Sequence, residues 1–161
     1  MPVSLWDFAL DKYRDPHVAQ LMIRLQDEHG ASVCELLWAT WLASAGRQVS
    51  AAELTHFRRL HNGLYLAIQR LRGARRLLEL DPLTRELGQQ TRPLEIEAEK
   101  CLLQQLEHLE SEPLTQDPFT TLHQIGAPFG LPPAEPAQKL YTELQEHLAR
   151  VGVEIHPISQ G

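Results

Sequence analysis

Apolar residues recur along this chain with the spacing of amphipathic helices, and one segment is apolar on nearly every side. Between residues 33 and 45, VCELLWATWLASA contains only three polar residues, Glu35, Thr40 and Ser44. A helix that is apolar all round has to be buried all round. At about 13 residues this helix is too short to cross a hydrocarbon layer, which needs roughly 20. We therefore predict that it is the central helix of a water-soluble bundle.

Short polar residues mark where the helices begin and end. Asp15 followed by Pro16 predicts a new helix, because Asp caps free amides and proline suits the first helical position. Gly30 and Gly46 stand where helices should end, since glycine adopts the left-handed conformation there at no steric cost. The capping-box spacing, in which Ser precedes an acidic residue by three, occurs three times: Ser4 and Asp7, Ser32 and Glu35, Ser50 and Glu53.

Later segments give a weaker helical pattern. An apolar stripe runs from Leu54 to Leu78 with a break expected at Asn62-Gly63, and residues 91–110 and 137–150 predict two further helices. Residues 111–136 are rich in proline and glycine, which favours loops, with one short helix after Asp117-Pro118. We predict an all-α fold, a single-domain bundle of five to seven helices. Residues 1–110 form its core, and residues 111–161 add a loosely attached connection, helix and tail.

The composition is that of an ordinary globular protein. A chain of 161 residues with 43% hydrophobic and 22% charged residues is long enough for one domain with its own core. A formal net charge of −6 argues against a general nucleic-acid binder. Cys34 and Cys101 have no CxxC or CxxH partner, and the N-terminal residues do not resemble a signal peptide. We expect a cytoplasmic protein.

Arginine is concentrated in one stretch. Between Leu54 and Leu78 the chain has no acidic residue and six arginines: Arg58, Arg59, Arg70, Arg72, Arg75 and Arg76. Arg75 falls within the apolar stripe, where an unpaired charge would cost several kcal/mol. We expect it to pair with Asp7, Asp27 or Asp81.

The remaining arginines suggest a binding surface. We predict that Arg58, Arg59, Arg70, Arg72 and Arg76 contact an acidic protein partner, which would make the protein a non-enzymatic regulator or adaptor, and that all of them except Arg72 project away from the apolar stripe. One alternative is binding to RNA or the ribosome through the same arginines. A second alternative is that they pair with Glu95, Glu97 and Glu99 inside the molecule, as exposed ion pairs commonly do.

A third functional hypothesis is a small metal-assisted or acid-base enzyme at Asp7, Asp27 and His29. Consecutive helical residues point about 100° apart, so the Asp27-Glu28-His29 run cannot share one face. We therefore favour structural roles for these polar residues, with His29 at a helix C-terminus. The sequence has no HExxH, phosphate-binding loop, GxSxG or dinucleotide-binding motif, and we expect no metal and no cofactor.

Three segments resemble a family of small bacterial proteins, mainly proteobacterial, whose domain has no established function. They are SLWDFAL at residues 4–10, LQDEHG at 25–30 and LLWATWLA at 36–43. Leu71, Arg72, Arg75 and Arg76 are similar to a later family element, and Glu97-Ala98-Glu99 to another. The resemblance is good to about Leu78, patchy to Glu110 and absent beyond. It implies an all-helical cytoplasmic protein and carries no activity.

Overall fold

A computed structural model describes residues 3–115 and 135–150 of the chain. These residues form seven α-helices and two short strands, which confirms the all-α prediction. The helices are α1 (Leu5–Tyr13), α2 (Pro16–His29), α3 (Val33–Ser44), α4 (Ala51–Leu60), α5 (Asn62–Leu80), α6 (Arg85–Glu107) and α7 (Glu135–Arg150). The strands are β1 (Arg47–Gln48) and β2 (Glu112–Pro113).

The helix starts follow the capping residues seen in the sequence. The Ser4, Ser32 and Ser50 hydroxyls each accept a hydrogen bond from the backbone amide three residues later. Asp15 accepts from two amides at the start of α2, and Gly30 ends α2 with φ of 72°. These side chains satisfy amides that would otherwise lack partners. Local chemistry therefore sets the boundaries of the first four helices.

Helix α3 lies at the centre of the structure, as its composition predicts. All ten residues from Cys34 to Ala43 are buried, and α3 contacts α1, α2 and α6. Trp38 is fully buried, while the Trp41 indole NH donates a hydrogen bond to the Val3 carbonyl at 3.1 Å. The buried Thr40 hydroxyl donates a hydrogen bond to the Leu36 carbonyl of the same helix. Helices α1, α2 and α6 pack around this apolar rod, while α5 packs on α6 and α7 packs on α2.

Helices α5 and α6 form a long antiparallel hairpin, and α6 begins earlier in the chain than expected. We expected the second helix to begin at Thr91, but α6 begins at Arg85, so Pro93 lies inside it. Proline removes one backbone donor from a helix interior, and packing against the whole length of α5 outweighs that loss. The turn between the helices is fixed by Asp81, which accepts a hydrogen bond from the Leu83 amide at 2.9 Å.

The C-terminal helix packs against α2. Four of its side chains are buried: Leu140, Tyr141, Leu144 and Leu148. Strands β1 and β2, which the sequence pattern does not predict, pair in antiparallel register with Arg47 opposite Pro113. The short helix expected after Asp117-Pro118 lies outside the described residues. A domain boundary near residue 110 stays a prediction.

The burial of Trp38 predicts a large loss of stability when it is truncated. Trp38→Ala should lower the free energy of unfolding by about 3–5 kcal/mol, because it removes a fully buried aromatic and leaves a cavity. Urea unfolding followed by circular dichroism measures this change. Trp6, which is only partly buried, is the matched control and should lose clearly less on replacement by alanine. Similar losses at both positions would contradict a core centred on α3.

The approach of α5 to α6 depends on Gly88. A Cβ atom at Gly88 would lie 2.7 Å from the Glu79 Cγ and 3.0 Å from the Arg75 carbonyl oxygen. Gly88→Ala should therefore destabilise the protein by about 1–3 kcal/mol, because the helices must move apart. A Cβ atom at Gly73 would meet nothing within 4 Å, so Gly73→Ala should stabilise by up to about 1 kcal/mol through helix propensity. Thermal unfolding of the two variants measures both signs, and a stabilising Gly88→Ala would refute the close contact.

Candidate functional site

A buried carboxylate links three helices near one end of α3. Glu35 on α3 is 1% exposed and accepts a hydrogen bond from the Arg58 Nε on α4 at 2.9 Å and a second from the Arg58 guanidinium at 2.5 Å. The Tyr65 hydroxyl on α5 donates to the same carboxylate at 2.6 Å. Such a charge is stable in the interior only when its partner and hydrogen bonds accompany it. Arg58 was expected to project outward, and instead it is directed at Glu35.

Burial and the Glu35 charge control the ionisation of the groups around them. Burial raises the pKa of Tyr65 far above its ordinary value, and the Glu35 charge raises it further. Burial also disfavours the charged form of Arg58, but its hydrogen bonds to Glu35 outweigh this effect and raise the pKa of Arg58. The pKa of Tyr141 is raised mainly by its burial and then by Glu35. Both tyrosines therefore stay neutral near pH 7, while Arg58 keeps its positive charge.

A second group of ion pairs joins the two helices of the hairpin. Arg75 pairs with Glu95 and, at 3.3 Å, with Glu79, while Arg72 lies 3.6 Å from Glu95 and 3.8 Å from Glu99. The expectation that Arg75 pairs with Asp7, Asp27 or Asp81 is therefore wrong. Carboxylates of α6 lie directly opposite α5, whereas those three aspartates belong to other elements or to the hairpin turn. Burial, and then the neighbouring Glu95 charge, raises the pKa of Glu99.

Four of the arginines line one cleft, which we call the arginine groove. It has a volume of about 1010 Å³ and lies between the end of α2, the start of α3, α4 and α5. Its charged lining residues are Asp27, Glu35, Arg58, Arg59, Arg72 and Arg76. Arg76 reaches across from α5 to Asp27 on α2 at 3.0 Å, and both side chains are well exposed. The groove therefore carries four guanidinium groups and two carboxylates.

Two arginines of the predicted surface are exposed and form no ion pair within residues 3–115 and 135–150. Arg59 lines the arginine groove, whereas Arg70 does not. Among the three glutamates proposed as internal partners, Glu95 and Glu99 contact Arg72. Glu97 forms no ion pair in the part of the chain that the structure describes. The arginines thus divide into paired structural residues and a smaller available set.

The polar residues proposed as an enzyme site have separate partners. Asp7 accepts a hydrogen bond from the Ser4 hydroxyl, and Asp27 pairs with Arg76. The His29 ring lies 3.9 Å from its neighbour Glu28. Among the described residues, no three His, Cys, Asp or Glu side chains are grouped so that they could hold a metal ion. The structure therefore does not assemble Asp7, Asp27 and His29 into one site.

Comparison with models of protein families shows which family the chain resembles. The model of a family described as "Protein of unknown function (DUF2390)" matches residues 4–106, well over half of the chain. The chain belongs to this family. No curated protein and no solved structure matches this DUF2390 member. The match contains α1 to α5 and nearly all of α6, and so it includes every charged residue of the arginine groove.

In this DUF2390 member, Glu35 has a larger structural role than its capping-box position predicts. It was interpreted as the partner of Ser32 in a capping box, although its carboxylate binds Arg58 and Tyr65. The signal was available, because Glu35 is the one charged residue in a helix that must be buried on all sides. Such a residue requires a cation from another element. Glu95 could have been found in the same way, since it shares a helical stripe with Leu102 and Leu106.

Adjacent arginines on α4 provide a direct test of the buried pair. Arg58→Ala should lower the free energy of unfolding by about 3 kcal/mol, because it leaves Glu35 buried without its cation. Arg59→Ala removes the same charge from an exposed position and should change it by less than about 0.5 kcal/mol. Urea unfolding at neutral pH compares the two variants with the wild type. Equal effects would show that Glu35 does not depend on Arg58.

Proposed function

We propose that the protein is a non-enzymatic regulator or adaptor that binds an acidic segment of a protein partner in the arginine groove. The observation that carries this proposal is the charge of the lining, which has four arginines against two carboxylates. The chain as a whole is acidic, so this excess of positive charge is local. A local field of this kind attracts an oppositely charged ligand and orients it during the encounter.

Arg59 and Arg76 are the residues proposed to contact the partner. Arg59 is exposed and forms no ion pair within the described residues. Among residues 3–115 and 135–150, Arg76 forms an ion pair only with Asp27, and the two side chains are 43% and 39% exposed. Exposed pairs of this kind contribute little stability, so Arg76 can exchange Asp27 for a carboxylate of the partner at small cost. Arg58 and Arg72 are proposed to add positive potential while they remain in their internal pairs.

The other lining residues suit a peptide more than a small ion. Ala31, Val33 and Leu66 supply apolar surface, and Gln26, Asn62 and Gln69 supply hydrogen-bonding groups. A cleft of about 1010 Å³ is at the upper end of small-molecule sites, which are typically about 300–1,000 Å³. Several residues of an acidic peptide, with an apolar side chain directed inward, would match this combination.

Two considerations favour binding over catalysis. The Glu35 carboxylate already accepts three hydrogen bonds from Arg58 and Tyr65, so it has little capacity left to act as a general base. The neutral tyrosines beside it hold their protons tightly, because burial raises their pKa values.

We propose the cytoplasm as the location, where free thiols such as Cys34 and Cys101 are common. Among the described residues, no helix has the length and apolarity needed to span a membrane.

Arg59→Glu should abolish or strongly weaken capture of the partner. Tagged wild-type protein and the variant are used for affinity purification, and co-eluting proteins are quantified by mass spectrometry. Reversing a charge that faces an acidic ligand should lower recovery of the specific partner at least about tenfold, equivalent to about 1.4 kcal/mol. Partners identified in this way are then tested as acidic synthetic peptides by fluorescence anisotropy.

Arg85→Glu is the matched control, because Arg85 is also exposed and unpaired in the described part but lies outside the groove. It should retain the partner at the wild-type level. Recovery that is equal for both variants and the wild type would refute the groove as the binding site. Retention that is lost after nuclease treatment and falls steeply with salt would instead support the RNA alternative.

A further inference from the structure

The α5–α6 hairpin has two unlike sides. Its charged side is marked by residues 68, 72, 75 and 79 of α5 and by residues 88, 95, 99 and 102 of α6, which are buried or form the ion pairs between the helices. One residue back along a helix turns the side chain by about 100°. Because the two helices are antiparallel, the preceding residues of both helices point to the same side of the hairpin, about 100° away from the charged side.

This second side of the hairpin carries no charged residue. On α5 it consists of Ala67, Leu71, Ala74 and Leu78. On α6 the corresponding residues are Leu87, Thr91, Leu94, Ala98 and Cys101. We call these nine residues the uncharged face. Their separations alternate between four and three, which is the heptad spacing of helices that pack against other helices.

Five of the nine residues of the uncharged face are exposed, and the face continues to the tip of the hairpin. Leu87 is 53% exposed and Leu94 62% exposed, and Ala67, Ala74 and Cys101 are also exposed. The other four, Leu71, Leu78, Thr91 and Ala98, are half-buried, and Ala98 packs against the core. Leu80 and Leu83, at the turn, are 78% and 87% exposed. Contiguous apolar surface of this kind is uncommon on monomers and marks contact with another protein. A heptad stripe with no charge suits a helical partner.

We propose that this face binds a second copy of the same chain, so that two hairpins form an antiparallel four-helix bundle. A two-fold axis parallel to the hairpins would place α5 of one copy over α6 of the other, with small residues such as Ala74 opposite larger ones such as Leu94. Such an isologous contact requires one self-complementary face. At 1.5 Å per residue, the face spans about 17 Å on α5 and about 21 Å on α6, and two helices side by side are about 20 Å wide. Its projected area is therefore roughly 400 Å², about half of the roughly 800 Å² per partner of a standard interface, so residues at its borders and at the hairpin tip would have to supply the rest.

The charges bordering the face fit this arrangement. One further residue back on each helix stand Arg70 and Glu97, which are both exposed and form no ion pair in the described part of the chain. Arg72 contacts both Glu95 and Glu99, so Arg70 and Glu97 lie at nearly the same level of the hairpin, on opposite borders. The two-fold axis would bring Arg70 of each copy to Glu97 of the other. The proposed dimer therefore pairs opposite charges on both borders.

The first test is the mass of the full-length protein in solution. Sedimentation equilibrium from low to high micromolar concentration should give twice the mass of one chain, and Leu94→Arg should raise the dimer Kd at least about tenfold, because each symmetric contact then buries a charge. Leu60→Arg, at a leucine that is 68% exposed on α4, is the control and should leave the dimer unchanged. Circular dichroism verifies that each variant is folded. Ala74→Glu is a second variant that places a charge on the same face, and it should also weaken the dimer.

A wild-type protein that is monomeric at every concentration would overturn the proposal, and so would a Leu94→Arg dimer of unchanged Kd. Alkylation of Cys101 gives an independent readout, because Cys34 is buried and its pKa is raised by that burial. The reaction should slow as the concentration rises, and Leu94→Arg should remove this dependence.

Arg70→Glu and Glu97→Arg should each weaken the dimer, while the double variant should restore it. Failure of that rescue would exclude this two-fold arrangement. Loss of the dimer would not affect the arginine groove, which lies on another surface.

Discussion

The burial of a single carboxylate in the central helix constrains much of this structure. Glu35 is inside an apolar rod, and an ion of this kind cannot be left there without a cation. Arg58 supplies the charge from α4 and Tyr65 a hydroxyl from α5. Since these two donors lie in different helices, the requirement of one acidic group fixes the approach of both helices to α3. An apolar residue at this position would pack without setting any direction.

The same kind of constraint acts a second time along the hairpin. Arg72 and Arg75 meet Glu95 and its neighbours, so the register of α5 against α6 is defined by charge as well as by the close contact at Gly88. All of this charge lies between the helices or on one side of them. The outer side is left with alanine, leucine, threonine and Cys101. A molecule with two chemically different surfaces results, one suited to acidic ligands and one to apolar helices.

Local features of the fold could be predicted from the sequence, and long-range pairings could not. Ser4, Ser32, Ser50 and Gly30 act on backbone groups within a few residues, so spacing alone reveals the helix boundaries. The composition of α3 similarly determines its central place. In contrast, Arg58 and Glu35 are 23 residues apart, and an arginine can reach any carboxylate that the fold brings near. Helical projection therefore placed Arg58 outside and gave Arg75 the wrong partners.

The start of α6 was missed for a related reason. Pro93 and Gly88 are unfavourable inside an isolated helix, so the pattern favours a start near Thr91. Contact with α5 along the hairpin reverses that local preference, and a single sequence does not reveal such contacts. The family match to residues 4–106 likewise includes all the residues of the hairpin without explaining why they are arranged as they are.

The small β1–β2 ribbon joins the two ends of the segment that contains α4, α5 and α6. Arg47 lies opposite Pro113, and the Leu114 amide donates to the Gly46 carbonyl at 2.9 Å. The segment that contains α4, α5 and α6 therefore begins and ends at the same point, although it also contacts α3 through α6 and through Arg58 and Tyr65. A segment whose two ends are held together can change in length without moving the neighbouring helices. Insertion or deletion of matched helical turns at the hairpin tip would lengthen or shorten the hairpin's reach, while α1, α2, α3 and α7 stay in place.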